Sequence, residues 1–129
     1  MYKITQVSKI LGVSIHTLRY YEKEGLTPFV RREKGNRIYS EDDIELIRLI
    51  ICLRSIDMPI KSIREYMQLY MQGSETIEER RALMRRYCEF VEKKITTTIE
   101  AMKFAAETIS RYDKAVEDIL TKNNNRKDD

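Results

Sequence analysis

The imidazole and thiol groups that most often ligate transition metals or act as nucleophiles are few in this 129-residue sequence: one histidine, His16, and two cysteines, Cys52 and Cys88. The cysteines are too far apart for a zinc-finger spacing and His16 stands alone, so no metal and no cofactor is expected. No nucleophile stands with a base, and no glycine-rich loop could cradle a phosphate. An enzyme is therefore not expected. What the chain carries instead is a localised excess of cations. Eight Lys and Arg against three Asp and Glu fall in residues 1–39, four against six in 40–72, and twelve against twelve in 73–129. A surplus confined to the first third is the footprint of a surface for a polyanion. The competing reading, a solvated face, is the commoner fate of a charge run taken alone.

The residue types within that third suit a duplex. Arg19 can pair bidentately with guanine or bind phosphate, Thr17 can reach base edges, and Tyr20 can offer its hydroxyl to a phosphate oxygen. Ser14 and His16 share the same stretch, and Arg31, Arg32, Lys34, Arg37 and Tyr39 follow shortly after it. Tyr20 and Tyr21 sit about 100° apart on a helix, so one is expected inward and one outward; Tyr21 is assigned to the core and Tyr20 to DNA.

These residues need elements to hold them. Thr5 reads as the N-cap of a short helix with Val7, Ile10 and Leu11 on one face and Gly12 as its stop. Ser14 caps a second helix that ends at Gly25. Two short helices across a tight glycine turn form a helix-turn-helix, whose second helix enters the major groove with its N-terminal part. Pro28 to Arg32 and Asn36 to Tyr39, joined through Glu33-Lys34-Gly35, make a hairpin wing. Ser40-Glu41-Asp42-Asp43 resembles a capping box opening a third helix, apolar on nearly every side from Ile44 to Leu53 and therefore expected to be buried. Pro59 breaks it, and a fourth helix runs from Ile60 to Gln72, ended by Gly73.

From Thr76, with Glu79 as the expected partner in a second capping box, no Pro or Gly interrupts the chain. A 4-3 apolar alternation runs through Ile77, Met84, Val91, Ile95, Met102, Ile109, Tyr112, Val116 and Ile119, with Arg81 and Thr98 as its plainly polar positions. Held over about six heptads, that stripe is a coiled-coil seam, and a second copy of the chain is the simplest partner. The expected organisation is mostly α: a winged helix-turn-helix DNA-binding domain at 1–73, a coiled-coil dimerisation helix at 74–122, and a polar, disordered tail at 123–129. No run reaches the roughly 18 apolar residues of a membrane span, and the N-terminus lacks the apolar core of a signal peptide; a cytoplasmic protein is expected.

Three segments carry a resemblance: Thr5-Gln6-Val7-Ser8, Leu18-Arg19-Tyr20-Tyr21-Glu22-Lys23-Glu24-Gly25-Leu26, and Asn36-Arg37-Ile38-Tyr39-Ser40-Glu41-Asp42-Asp43-Ile44. Together they resemble the MerR family of transcription regulators over roughly the first 70 residues. The resemblance implies an antiparallel coiled-coil homodimer with one winged head at each end, bound to a palindrome in an overlong promoter spacer. It further implies that bending and untwisting this spacer realigns the promoter elements for RNA polymerase, the partner that shares the promoter. On the family pattern Arg19, Tyr20, Arg37 and Tyr39 are carried over as DNA contacts, and Lys61 resembles a second-wing phosphate contact. The segment Ile56-Asp57-Met58-Pro59-Ile60 departs from the usual Gly-containing, Ser-capped turn.

With only a short polar segment after the seam, neither the large ligand-binding domain of the family's multidrug regulators nor the cysteine-bearing loop of its metal sensors is expected. Ile50-Ile51-Cys52-Leu53-Arg54 resembles instead the small branch that senses aldehydes and related electrophiles through one thiol. A thiol reports such species only when partly ionised, and Arg54 or Arg48 nearby would favour the thiolate. The plainer alternative packs Cys52 as a small apolar residue. A metal ion or a small apolar ligand is the alternative effector. Cys88 falls on a seam position, where a thiol fills the place of Ala or Val. A protein of another class remains on the same residues: a coiled-coil interaction protein with a non-specific basic head.

Overall fold

The computed structural model describes residues 1–128 and is mostly helical. In chain order the elements are β1 (Tyr2–Lys3), α1 (Ile4–Leu11), α2 (Ile15–Lys23), β2 (Arg31–Glu33), β3 (Asn36–Tyr39), α3 (Glu41–Ser55), α4 (Ile60–Met71) and α5 (Ile77–Asp128), with one 3-10 turn at Ser74–Thr76. A winged helix-turn-helix is therefore present, with a small antiparallel sheet in the order β1-β3-β2. The chain divides into two units, one running from Met1 to Arg86 and the second beginning at Tyr87. The first unit thus passes the break at Gly73 and takes in the opening turns of α5.

The turn between α1 and α2 is made by Gly12, whose φ of 67° is the left-handed conformation that side chains resist. Its N–H closes α1 on the Ser8 carbonyl, and the Ser8 hydroxyl donates to the Val13 carbonyl, locking the turn. Helix α1 starts earlier than its sequence suggests, at Ile4, with the Gln6 side chain accepting from the Lys3 N–H at 2.8 Å in place of a Thr5 cap. β1 has no sequence signal. It forms because Tyr2 and Lys3 find Tyr39 and Ile38 opposite them on β3. The wing is a two-residue hairpin in which Lys34 and Gly35 both take positive φ, 51° and 80°. That is the mirror-image turn whose twist suits paired strands.

Val7, Leu18, Tyr39, Ile44 and Ile47 form one core cluster, against which Tyr2, Leu11, Phe29 and Ile51 pack. Ile50, Ile63 and Met67 are fully buried where α3 meets α4. The capping box at α3 is formed as expected: Ser40 Oγ accepts from the Asp43 N–H at 3.0 Å and Asp43 Oδ2 from the Ser40 N–H at 2.9 Å. Helix α3 is not buried all round, however. Its buried stripe is Ile44, Ile47, Ile50 and Leu53, at steps of three, and Glu45, Arg48 and Cys52 face out. In the break after α3, Asp57 takes a positive φ of 63°, a conformation that short polar side chains tolerate. It does there what a glycine would do.

The second capping box is absent. Thr76 donates its hydroxyl to the Leu69 and Gly73 carbonyls and accepts from Arg80 Nε, closing the end of α4 rather than starting α5. α5 is a single helix of 52 residues, about 78 Å long at 1.5 Å per residue. It continues through Asp128, so residues 123–128 are helical where a disordered tail was expected, and residue 129 of that tail lies outside the described residues. From Tyr87 onward the exposed side chains on or beside the 4-3 stripe are Ile95, Ile99, Met102, Ile109, Tyr112, Val116, Ile119 and Leu120. An apolar face of this extent on one helix is unstable in water without a partner. Among the described residues, no helix is long and apolar enough to cross a membrane.

Candidate nucleic-acid interface

Helix α2 is presented by its cap. Ser14 Oγ accepts from the Thr17 N–H at 3.0 Å and lies 2.9 Å from the Thr17 hydroxyl, so these two polar groups define the start of the helix. Leu18 and Tyr21 hold the opposite face in the core. His16, Arg19 and Tyr20 are thereby left exposed, Tyr20 at 41% against 7% for Tyr21, which is the division expected of the two tyrosines. Burial raises the Tyr21 hydroxyl above its ordinary pKa, with Arg54 opposing.

Strand register sorts the wing into two faces. Arg32 stands directly opposite Arg37, and Tyr2 opposite Tyr39, while Arg31 and Lys3 both stand opposite Ile38. Since opposed residues share a face and successive residues alternate, Arg32, Arg37 and Tyr39 point one way and Lys3, Arg31 and Ile38 the other. Tyr39 is consequently not a surface residue. It is 3% exposed and packs in the core cluster, which corrects its expected place among the DNA contacts. Burial raises its hydroxyl above the ordinary value, and Arg37 opposes that rise.

Two like charges directly opposite on a sheet repel, and here the conflict is resolved from the recognition helix. Glu22 of α2 receives both guanidiniums, one oxygen taking Arg32 Nη2 at 3.1 Å and the other Arg37 Nε. Arg37 is thus occupied in fastening the wing to α2. Glu22 was missed at the sequence level, although it was one of only three acids in a basic stretch. Arg64 of α4 makes a parallel tie at the end of α2, donating to the Glu24 carbonyl at 2.7 Å and pairing with its carboxylate at 3.3 Å. Arg31 and Lys34 stay exposed on the wing, and Lys61 is exposed in the first turn of α4. Lys3, Thr5 and Asn36, also overlooked in the sequence, line a cleft with Arg19, Lys34 and Arg37.

Cys52 and Cys88 are both free and exposed. The two arginines expected to favour a Cys52 thiolate are engaged elsewhere, Arg48 with Glu45 at 3.4 Å and Arg54 with the Met58 carbonyl at 2.7 Å. Among the described residues, no three His, Cys, Asp or Glu side chains gather in a way that could hold a metal ion.

This architecture has known counterparts. The family described as MerR HTH family regulatory protein matches residues 2–70. An HTH-type transcriptional regulator of Haemophilus influenzae is 31% identical over 115 residues, covering 88% of this chain and 85% of that protein. The HTH-type transcriptional regulator AdhR of Bacillus subtilis is 42% identical over 82 residues, covering 63% of this chain and 59% of its own length. Among solved structures, HiNmlR, described as a MerR family regulator lacking the sensor domain and bound to promoter DNA, superposes with a TM-score of 0.79. It is 31% identical and the match covers 88% of this chain and 91% of that one. Because the family match spans the head and the relatives reach well into α5, the chain belongs to the MerR family of helix-turn-helix transcription regulators.

Proposed function

We propose that this chain is a homodimeric, sequence-specific regulator that binds a palindromic promoter site and alters transcription by distorting the promoter DNA shared with RNA polymerase. The observation that carries the reading is the pairing of two surfaces on one chain. One is an exposed recognition helix held beside a cationic wing by Glu22; the other is an apolar face along α5 with no cover in a single copy. A dimer through α5 sets two reading heads at a fixed separation, which is what a palindrome requires. Deforming the DNA between them carries a cost that depends on the intervening sequence, so the spacer is read without being touched. HiNmlR, similar over nearly the whole chain, was crystallised on promoter DNA. A cytoplasmic location follows from the same reading.

Cys52 is the proposed effector site, for an aldehyde or related electrophile. Its support is exposure on α3, where a reagent can reach the sulfur. The test of the main reading is selection of duplexes from a random pool, followed by retention as salt is raised. A palindrome retained at physiological salt, with a steep log–log salt slope, is expected. Weak binding that ignores sequence would instead mark a coiled-coil interaction protein with a solvated basic head.

A further inference from the structure

Beside the recognition helix lies a cleft of about 570 Å³ whose walls come from the start of α1, from α2 and from the wing. Lys3, Arg19, Lys34 and Arg37 reach it, against the single carboxylate of Glu33, and Thr5 and Asn36 add neutral polar groups. The strand register puts Lys3 on the same face as Asn36 and Ile38, and Arg37, from the opposite face of β3, completes the lining. β1 lies against β3 with Lys3 opposite Ile38, so its ammonium falls on the wing face turned away from the core. Glu22 engages Arg37, but Lys3, Arg19 and Lys34 have no carboxylate within ion-pair distance among the described residues. The first turn of α1 carries no acid. Uncompensated cations from three separate elements, converging on one opening, fit an anion supplied from outside.

Resting on the reading above as a duplex-binding regulator, we infer that this cleft seats one backbone phosphate of the DNA, with Lys3 as a contact that the motif residues do not include. The first helix of a helix-turn-helix crosses the sugar-phosphate backbone while the second lies in the groove. A wing on the other side of the same backbone closes the seat. Lys3 and Lys34 then grip the phosphate from its two flanks, Thr5 and Asn36 are its neutral donors, and Arg19 links the seat to the groove. This contact is blind to base identity, so it adds affinity and register rather than specificity.

The test uses the full chain and the duplex recovered by selection, with fluorescence anisotropy over a salt series. Lys3→Ala, which removes the contact from both heads of the dimer, should weaken binding to the selected and to a scrambled duplex by the same factor, roughly 25- to 100-fold at 0.1 M salt. One lost phosphate contact in each head of the dimer lowers the log–log slope by about 1.8. Lys3→Arg should restore both. Replacing single phosphates by neutral methylphosphonates should reveal one position in each half-site that weakens the wild type yet costs Lys3→Ala nothing further. Competition by inorganic phosphate at constant ionic strength, without any such position, would mean a free-anion site and overturn the assignment. So would an unchanged slope in Lys3→Ala while Arg19→Ala still loses the selected duplex, a result that leaves the regulator reading standing. Failure of the wild type to bind any duplex removes both. Lys3 is exposed, so an unaltered melting temperature is expected, and Lys3→Gln provides a second neutral variant if alanine disturbs β1.

Discussion

Glu22→Gln is the most direct probe of how the head is assembled. The substitution keeps size and removes the charge that joins the two wing arginines to the recognition helix. Glu22 and Arg37 are about equally screened from solvent, with side chains 28% and 27% exposed, whereas Arg32 is 59% exposed. Hydrogen bonds to charged groups contribute about 1.5–3 kcal/mol when well buried, and exposed pairs about 0–1 kcal/mol. The Arg37 contact therefore falls at the lower end of the first range and the Arg32 contact at the lower end of the second, for a combined loss of about 1–2 kcal/mol. For a head of this size each kcal/mol moves the melting temperature by about 4–8 °C, so a drop of roughly 4–16 °C is expected. Binding should respond in two opposite ways. The wing must now be ordered when the selected duplex binds, lowering that affinity by up to the same free energy, about five- to thirtyfold. Two released guanidiniums in each head meanwhile repel each other across the hairpin and are available to any phosphate, steepening the salt slope on scrambled duplexes by about one to two units per head. Differential scanning fluorimetry and anisotropy titrations read both effects. A variant that melts like the wild type and keeps the ratio of selected to scrambled affinity would refute the claim that Glu22 positions the wing.

Arg19→Ala should cost about 1–3 kcal/mol on the selected duplex and far less on scrambled ones, whereas Lys61→Ala should weaken all duplexes alike; equal loss of specificity in both would contradict the division of roles. Ile109→Asp should leave the Met1–Arg86 unit folded, because Ile109 lies outside it and is exposed in one copy, yet destabilise the dimer by at least ~3 kcal/mol. Sedimentation equilibrium checks this, and a dimer of unchanged strength would move the pairing surface elsewhere. Cys52→Ser should keep DNA affinity within about twofold, as exposed substitutions usually do, while abolishing the transcriptional response to an aldehyde or thiol oxidant. An intact response in that variant removes Cys52 from the sensing step.

The helix-turn-helix was legible because its signals are local. Ser14 before Ile15, Gly12 between the two helices and the apolar spacing of Val7 and Leu11 each act within a turn or two of chain, and each is used in the structure much as expected. The capping box of Ser40 and Asp43 is of the same kind. The one at Thr76 failed because its hydroxyl found a nearer use, closing α4 on the Leu69 carbonyl. Tyr39 misled for a related reason: an aromatic at the end of a basic wing reads as a contact until register decides its face. The polar residues after Lys122 read as a tail by composition, yet they continue α5 through Asp128, since nothing in them breaks a helix already propagating.

Periodicity, caps and charge alone determined the order of helices, the basic reading head and the apolar stripe of the long helix, because each is set by neighbours along the chain. Tertiary structure decided the rest: that Tyr39 turns inward, that Cys52 faces out from a largely apolar helix, that Glu22 gathers Arg32 and Arg37, and that Lys3 joins the cleft. Cys52 faces out because Ile44, Ile47, Ile50 and Leu53 supply the buried stripe of α3. The placing of Tyr39, Glu22 and Lys3 depends on strand β3 lying between β1 and β2, with Glu22 of α2 reaching its Arg37. No residue within four positions of Lys3 or Glu22 could announce such a meeting, because the pairing energy comes from segments brought together only when the core closes.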